Sequence, residues 1–296
     1  MAEPMTERLH DLAPGLDDLP LDVIAGHLLA AQTQALVAVS HALPEIAQGG
    51  RIMAETLNAG GRLIYAAAGS SGLMAMADAC ELAGTYGIDP ARVSILMAGG
   101  LPQDAAMPGG TEDDRQEAAT AARIITEKDA VILLSASGTT PYALEIAKIA
   151  QRQGAATIAI ANNPGAPLFQ GATVAICLPT PPELIAGSTR MGAGTAQKAA
   201  LNMMSTLMGV ALGHIHDGMM VNLRVDNAKL EARAAAIIAR ITGSAAPKTH
   251  LSAANGAVKP AILLAAGATD LTQAEALLTA SDGHIRTALA ALKPRA

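Results

Sequence analysis

Residues Arg62–Glu81 read RLIYAAAGSSGLMAMADACE, and the parsing of these twenty residues decides the fold. Leu63–Ala68 is a short apolar run between Gly60-Gly61 and Gly69, the pattern of a buried strand. Gly69-Ser70-Ser71-Gly72 turns the chain and carries two hydroxyls. From Leu73 the residues are small and apolar to Leu82, which predicts a helix stopped by Gly84. A strand, a Gly/Ser loop and a helix start form an anion site, because the first N–H groups of a helix lack partners and its dipole favours negative charge. The same glycines would also serve an ordinary strand-to-helix turn.

Working outward, apolar runs recur at Val93–Ala98, Ala130–Ser135, Ala156–Ala161 and Thr173–Leu178, with helical stretches near 72–83, 112–127 and 141–153. This alternation predicts an α/β fold: a parallel five-stranded sheet with helices on both faces. Ligands of such sheets bind beyond the carboxyl ends of the strands. At one such end stands a second hydroxyl loop, Ser135-Ala136-Ser137-Gly138-Thr139-Thr140-Pro141, with Pro141 suited to a helical first turn. A third, Gly187-Ser188-Thr189-Arg190, precedes a long apolar helix predicted over 193–213, with Gln197 and Lys198 in its first turns. The chain has neither a G-x-x-x-x-G-K-[ST] nor a G-x-G-x-x-G sequence, so a nucleotide is disfavoured.

Residues 1–59 read as a peripheral helical arm, with apolar positions at helical spacing from Asp18 to Ala47 and a stop at Asn58-Ala59-Gly60-Gly61. Thr111 and Asp114 fit a helix N-cap with its reciprocal acid, which makes Glu112 a first-turn acid suited to the dipole. Glu81 reads equally as an acid on the solvent side of its helix. His214 and His216, two residues apart, point to different helix faces and make a poor metal pair. The 296 residues are 51% hydrophobic, with no Trp, one Phe, three Tyr and a net charge of −6. That composition supports a large core and argues against nucleic-acid and anionic-membrane surfaces. Cys80 and Cys177 have no C-x-x-C spacing, so neither a disulfide framework nor a zinc site is expected. The polar start MAEPMTERLHD does not read as a signal peptide, and a cytoplasmic, soluble protein without a cofactor is expected.

GGRLIYAAAGSSG, GGTEDD, ASGTTPY, GSTRMGAGTAQK with LNMMST, and GHIRTAL near the end together resemble the N-acetylmuramic acid 6-phosphate etherases, members of the sugar isomerase (SIS) fold. The resemblance spans nearly the whole chain. It implies a phosphosugar domain over 60–245 and a small helical subdomain over 246–296. By resemblance, Glu81 falls on the family's catalytic acid and Glu112 on its second catalytic carboxylate. Gly69, Ser70, Ser71, Ser137, Gly138, Thr139, Thr140, Ser188 and Lys198 fall on or beside the substrate. Some charges of the family are replaced: Leu73 and Thr139 stand where arginines are usual, Gly109 for a glutamate, Gly192 for a lysine and Asn222 for an aspartate.

The implied reaction removes the C2 proton of a phosphorylated amino sugar with Glu112, expels the C3 lactyl ether with Glu81 as acid, and then adds water. Division of labour between two differently placed carboxylates needs no metal. A sugar-phosphate isomerase or other lyase on the same fold, or a non-catalytic phosphosugar regulator, are the alternatives. With the helix starting at Gly72, Glu81 lies roughly 13 Å along it. That is long for one sugar held by its phosphate at the helix start, so a homodimer with a shared active site is expected.

Overall fold

Five apolar runs pair in parallel as β1 (Leu63–Ala67), β2 (Val93–Met97), β3 (Ala130–Leu134), β4 (Ala156–Ala161) and β5 (Val174–Cys177), in the order β2-β1-β3-β4-β5. These are the expected strands, to within a residue at either end. The computed structural model describes residues 4–292 apart from Pro108, Arg224, Asp226 and Asn227. It divides into two units, one of residues through Cys80 with Ala91–Ser205, the other of Glu81–Pro90 with the residues from Thr206 onward.

In the first unit β1 and β3 are buried throughout, which is why they read as continuous apolar runs rather than alternating ones. Ile64, Ala66, Val131 and Leu133 face Ala118 of α4 (Arg115–Ala121) and Tyr142 and Ile146 of α5 (Pro141–Arg152). Successive strand residues alternate in direction, so Tyr65 and its neighbours Ile132 and Ile158 face the other way. There the Tyr65 hydroxyl donates to Asp78 of α3 (Gly69–Tyr86) at 2.8 Å. Gly49 of α2 (Leu43–Asn58) comes so close to Met204 of α6 (Gly192–Ala211) that any side chain there would displace the thioether. Asp78 is buried, and Asn202 and Ser205 of α6 each donate to it at 2.9 Å. Burial first, and then the Asp78 charge, push the Tyr65 phenol well above its ordinary range.

Two sequence-based expectations are corrected at helix ends. α3 runs past Gly84 to Tyr86, and the stop falls at Gly87, whose positive φ of 65° ends the helix. The cap of α4 is Asp114 rather than Thr111, its carboxylate accepting from the N–H groups of Gln116 and Glu117 at 2.8 Å each. Before the sheet, α1 (Leu21–Val39) leaves Leu29 69% and Leu36 45% exposed, and Leu43 at the start of α2 is 47% exposed. By length and composition alone the run Leu21–Asn58 could also cross a membrane.

The second unit gathers α7 (Ala228–Thr242), α8 (Pro247–Ala253), α9 (Val258–Ala265), α10 (Leu271–Thr279) and α11 (Ile285–Leu292) around Val221, Ile238, Leu251, Ile262 and Ile285. A short hairpin of β6 (Ile215–His216) and β7 (Met219–Met220) belongs with them. His214 follows α6 and His216 lies in β6. The Tyr86 hydroxyl and Thr206 share a 2.7 Å hydrogen bond.

Asp129 ties the starts of β1 and β3 together. Its carboxylate accepts from the Arg62 N–H at 3.0 Å, the Arg62 guanidinium at 2.7 Å, and the N–H and hydroxyl of Thr126 at 2.9 and 3.0 Å. Burial alone would raise the Asp129 pKa, but these donors outweigh it and hold the carboxyl below its ordinary range. A group lowered on folding contributes stability that is complete above its unfolded pKa, about 3.9 for Asp, and is lost as pH falls through the folded value. Asp129→Asn should therefore cost on the order of 2 kcal/mol in urea unfolding at pH 7. The gap to the unaltered protein should narrow below about pH 4; an undiminished gap in acid would show that the carboxylate charge is not what matters.

Candidate active site

The loops after β1 and β3 open side by side, because Ala67 and Leu134 are paired neighbours at the carboxyl ends of their strands. Between them lies a cavity of about 220 Å³ in the first unit, lined by Ala68–Ser71 from one loop and by Ser135–Ser137 and Thr140 from the other. Glu112, Gly187, Thr189 and Glu7 complete the lining. No lysine or arginine is among the described residues that line it.

The first loop differs from the sequence expectation in being already helical, since α3 begins at Gly69. Its first i→i−4 bond runs from Gly72 N to Ala68 O, so the N–H groups of Ser70 and Ser71 lie outside the helical ladder. Those groups, the two serine hydroxyls and the positive end of α3 offer an anion several donors. Gly72 itself packs against the Met97 side chain, whose end a Cβ would have to push aside.

The second loop is organised by Ser135. Its buried hydroxyl accepts the Gly138 N–H at 2.9 Å and shares hydrogen bonds with Thr140 at 2.8 Å and Ser137 at 3.3 Å. Thr139 donates both its N–H, at 3.2 Å, and its hydroxyl, at 2.9 Å, to Ser137. The N–H groups of Gly138 and Thr139 are thus satisfied inside the loop, and it is the hydroxyl-bearing residues Ser135, Ser137 and Thr140 that line the cavity. Gly138 has φ 71° and sits against Ala166, so the turn admits only glycine.

Of the residues expected at the site, Gly69, Ser70, Ser71, Ser137, Thr140 and Glu112 line one cavity. Gly138 and Thr139 shape the loop behind it. Ser188 is passed over in favour of its neighbours Gly187 and Thr189, and Lys198 is exposed, bonded to Asn202 at 2.7 Å. Glu81 is exposed on α3 and does not line the cavity. The start of α6 is closed to a ligand, because buried Glu183 accepts the N–H groups of Gly192 and Ala193 at 2.8 Å each.

Sequence reasoning missed Glu7 and Ser135. Glu7 arrives through the arm: Thr6 is buried, its N–H donates to Asn163 at 3.4 Å, and Asn163 donates to the Thr6 hydroxyl at 3.1 Å and to the Ser137 carbonyl at 3.2 Å. A Thr-Glu pair in a polar leader carries no local signal of this. Ser135 heads the second hydroxyl loop in the sequence, yet as the last residue of its strand it looks like any core serine and is not among the residues expected to meet the substrate.

A parallel sheet with hydroxyl-bearing loops at the carboxyl ends of two adjacent strands is the architecture of the SIS domain, and the SIS domain family matches residues 114–207. A phosphosugar isomerase, so assigned, from Bacteroides fragilis shares that fold at TM-score 0.52 and 21% identity, over 64% of this chain and 90% of its own. Sequence relatives are more specific. The chain is 39% identical to the N-acetylmuramic acid 6-phosphate etherase of Streptomyces avermitilis over 97% of this chain and 93% of that protein. It is 38% identical to the Deinococcus radiodurans protein of the same name, over 96% and 94%. The chain belongs to the N-acetylmuramic acid 6-phosphate etherase family, whose members are carbon–oxygen lyases.

Ser135→Ala strips the second loop of its central hydroxyl, leaving the Gly138 N–H with the Ser135 carbonyl alone, at 3.1 Å, and Thr140 without its hydroxyl partner. It should lower stability by about 1–2 kcal/mol in urea and weaken inorganic phosphate binding by calorimetry. Unchanged stability and affinity would mean that the loop is held by its backbone alone.

Proposed function

We propose that this chain is a cytoplasmic N-acetylmuramic acid 6-phosphate etherase that works as a homodimer with shared active sites. The observation that carries the reading is the convergence of Ser70, Ser71, Ser137 and Thr140 with Glu112 in one cavity, in a chain of the etherase family. Those donors hold the 6-phosphate. Opening of the sugar ring exposes the C1 aldehyde, which acidifies the C2 proton. Glu112 takes that proton, the C3–O bond breaks, and lactate leaves as its oxygen is protonated by Glu81. Water adds to the resulting unsaturated aldehyde to give N-acetylglucosamine 6-phosphate, so atoms balance as one ether and one water giving D-lactate and the product sugar.

Two features support sharing between subunits. At about 220 Å³ the cavity is smaller than the roughly 300–1,000 Å³ usual for ligand pockets, and Glu81 stands outside the cavity of its own chain. The exposed Leu29 and Leu36 lie seven residues apart on α1, the spacing of a helix seam that a second copy would cover. A homodimer seam accounts for that apolar run without a membrane.

Glu7 sustains one other reading, because it lines the cavity together with Glu112. It could protonate the leaving group within a single chain, in which case Glu81 would be dispensable. Proton NMR of N-acetylmuramic acid 6-phosphate in D₂O, with lactate assayed in parallel, separates these cases. Glu81→Gln should lose lactate release yet keep exchange of the C2 hydrogen, whereas Glu112→Gln should lose both. Full lactate release by Glu81→Gln together with its loss in Glu7→Gln would transfer the acid role to Glu7. Conversion to a ketose, or no turnover by the unaltered protein, would favour an isomerase or a sensor.

Assembly is tested by complementation. Heterodimers of Glu81→Gln with Ser71→Ala/Ser137→Ala protein should regain up to about half the unaltered activity per dimer, since symmetry leaves one intact composite site of two. Verified heterodimers without activity would refute sharing.

A further inference from the structure

The helical unit contains a cavity of its own, about 510 Å³, to which Asn222, Leu223, Asn255, Val258, Lys259 and Leu278 contribute. Its lining combines apolar walls with two amides and one cation, and no carboxylate is among the described lining residues. Lys259 is the unusual member. It is only 8% exposed, yet it has no hydrogen bond or ion pair with any described residue. Lysines are almost never buried without a partner, because the ammonium loses hydration and gains nothing in return.

A second set of unsatisfied donors lies next to it. α9 begins at Val258 with no side-chain cap, and its first i→i−4 bond runs from Ala261 N to Ala257 O. Pro260 brings no N–H, so the N–H groups of Val258 and Lys259 are left outside the ladder at the positive end of the helix. The neighbouring histidines do not neutralise the lysine. Burial, with the charges of Lys259 and His284 behind it, pushes His214 down to about 4 despite a bond with the Tyr86 backbone. Burial likewise pushes Lys259 down to about 8.

We propose that this cavity is an oxyanion site, taking a small organic acid or phosphate ester whose charged group meets Lys259 and the first-turn N–H groups of α9. The carbon portion of the ligand lies against Leu223, Val225 and Leu278, and Asn222 and Asn255 supply amides for its polar substituents. A neutral ligand would leave the ammonium unpaired, and a cation would be repelled by it. The site draws on none of the hydroxyl loops, so it stands whether or not the etherase reading holds.

The test uses full-length protein carrying Ser71→Ala and Ser137→Ala, which disables the hydroxyl-loop cavity. Inorganic phosphate and acetate are titrated separately, at constant ionic strength, while the melting temperature is followed. A saturable rise with either anion is expected, and the stronger of the two identifies a phosphate or a carboxylate ligand. Adding Lys259→Met should weaken it about tenfold or more, and Lys259→Arg should largely retain it. As a check independent of folding, lysines bearing ¹³C-methyl groups should show one resonance that shifts saturably with the anion and is missing from the Lys259→Arg spectrum. No saturable response in the double-serine background, or a response and resonance indifferent to Lys259, would overturn the proposal.

Discussion

The pairing of β1 with β3 is the constraint on which the rest of the first unit depends. Leu63 lies opposite Ala130 and Ala67 opposite Leu134, so the two strands start and end together. From their common end the chain departs in opposite senses, from β1 outward to the edge strand β2 and from β3 inward to β4. Diverging connections leave a crevice at the point of reversal, the usual place for a ligand in an open α/β sheet. The two serine-bearing loops face one cavity for that topological reason, although Ser71 and Ser137 are far apart in sequence.

The electrostatics of this cavity are unusual for an anion pocket. Its described lining supplies hydroxyls, helix-start N–H groups and two carboxylates, but no side-chain cation. A phosphate bound there, as proposed, would be held by many neutral donors set in place beforehand rather than by a point charge. The Ser135 hydroxyl suits such a design, since it fixes Ser137, Gly138 and Thr140 before any ligand arrives.

Much of the fold was legible because its signals are local. Short apolar runs located all five strands, and the hydroxyl loops marked the strand ends that carry the cavity. Helix limits were less legible because capping depends on backbone geometry: Gly84 is tolerated within α3 while Gly87, with its positive φ, ends it. Asp114 outcompeted Thr111 as a cap for the same kind of reason. In the cavity, Ser70, Ser71, Ser137, Thr140 and Glu112 could be read from loop chemistry and family resemblance. Glu7 could not, since its place depends on Thr6 reaching Asn163, a contact between residues 157 positions apart. The unpaired state of Lys259 is equally invisible in a sequence, where it is one lysine before a proline.

The Arg62–Asp129 clamp also has a temporal meaning. It joins residues 67 positions apart, and β2 with α3 and α4 lies in the intervening loop. Closing so long a loop costs conformational entropy before any strand contact offsets it, and parallel sheets are slow to form for that reason. During synthesis the central pair of strands cannot assemble until β3 has left the ribosome, and until then β1 has only β2 to pair with. The ion pair that stabilises the finished sheet is thus a late arrival. Until Asp129 emerges, the nascent chain presents Leu63–Ala68 as an open strand edge, the kind of surface that chaperones bind and aggregates grow from.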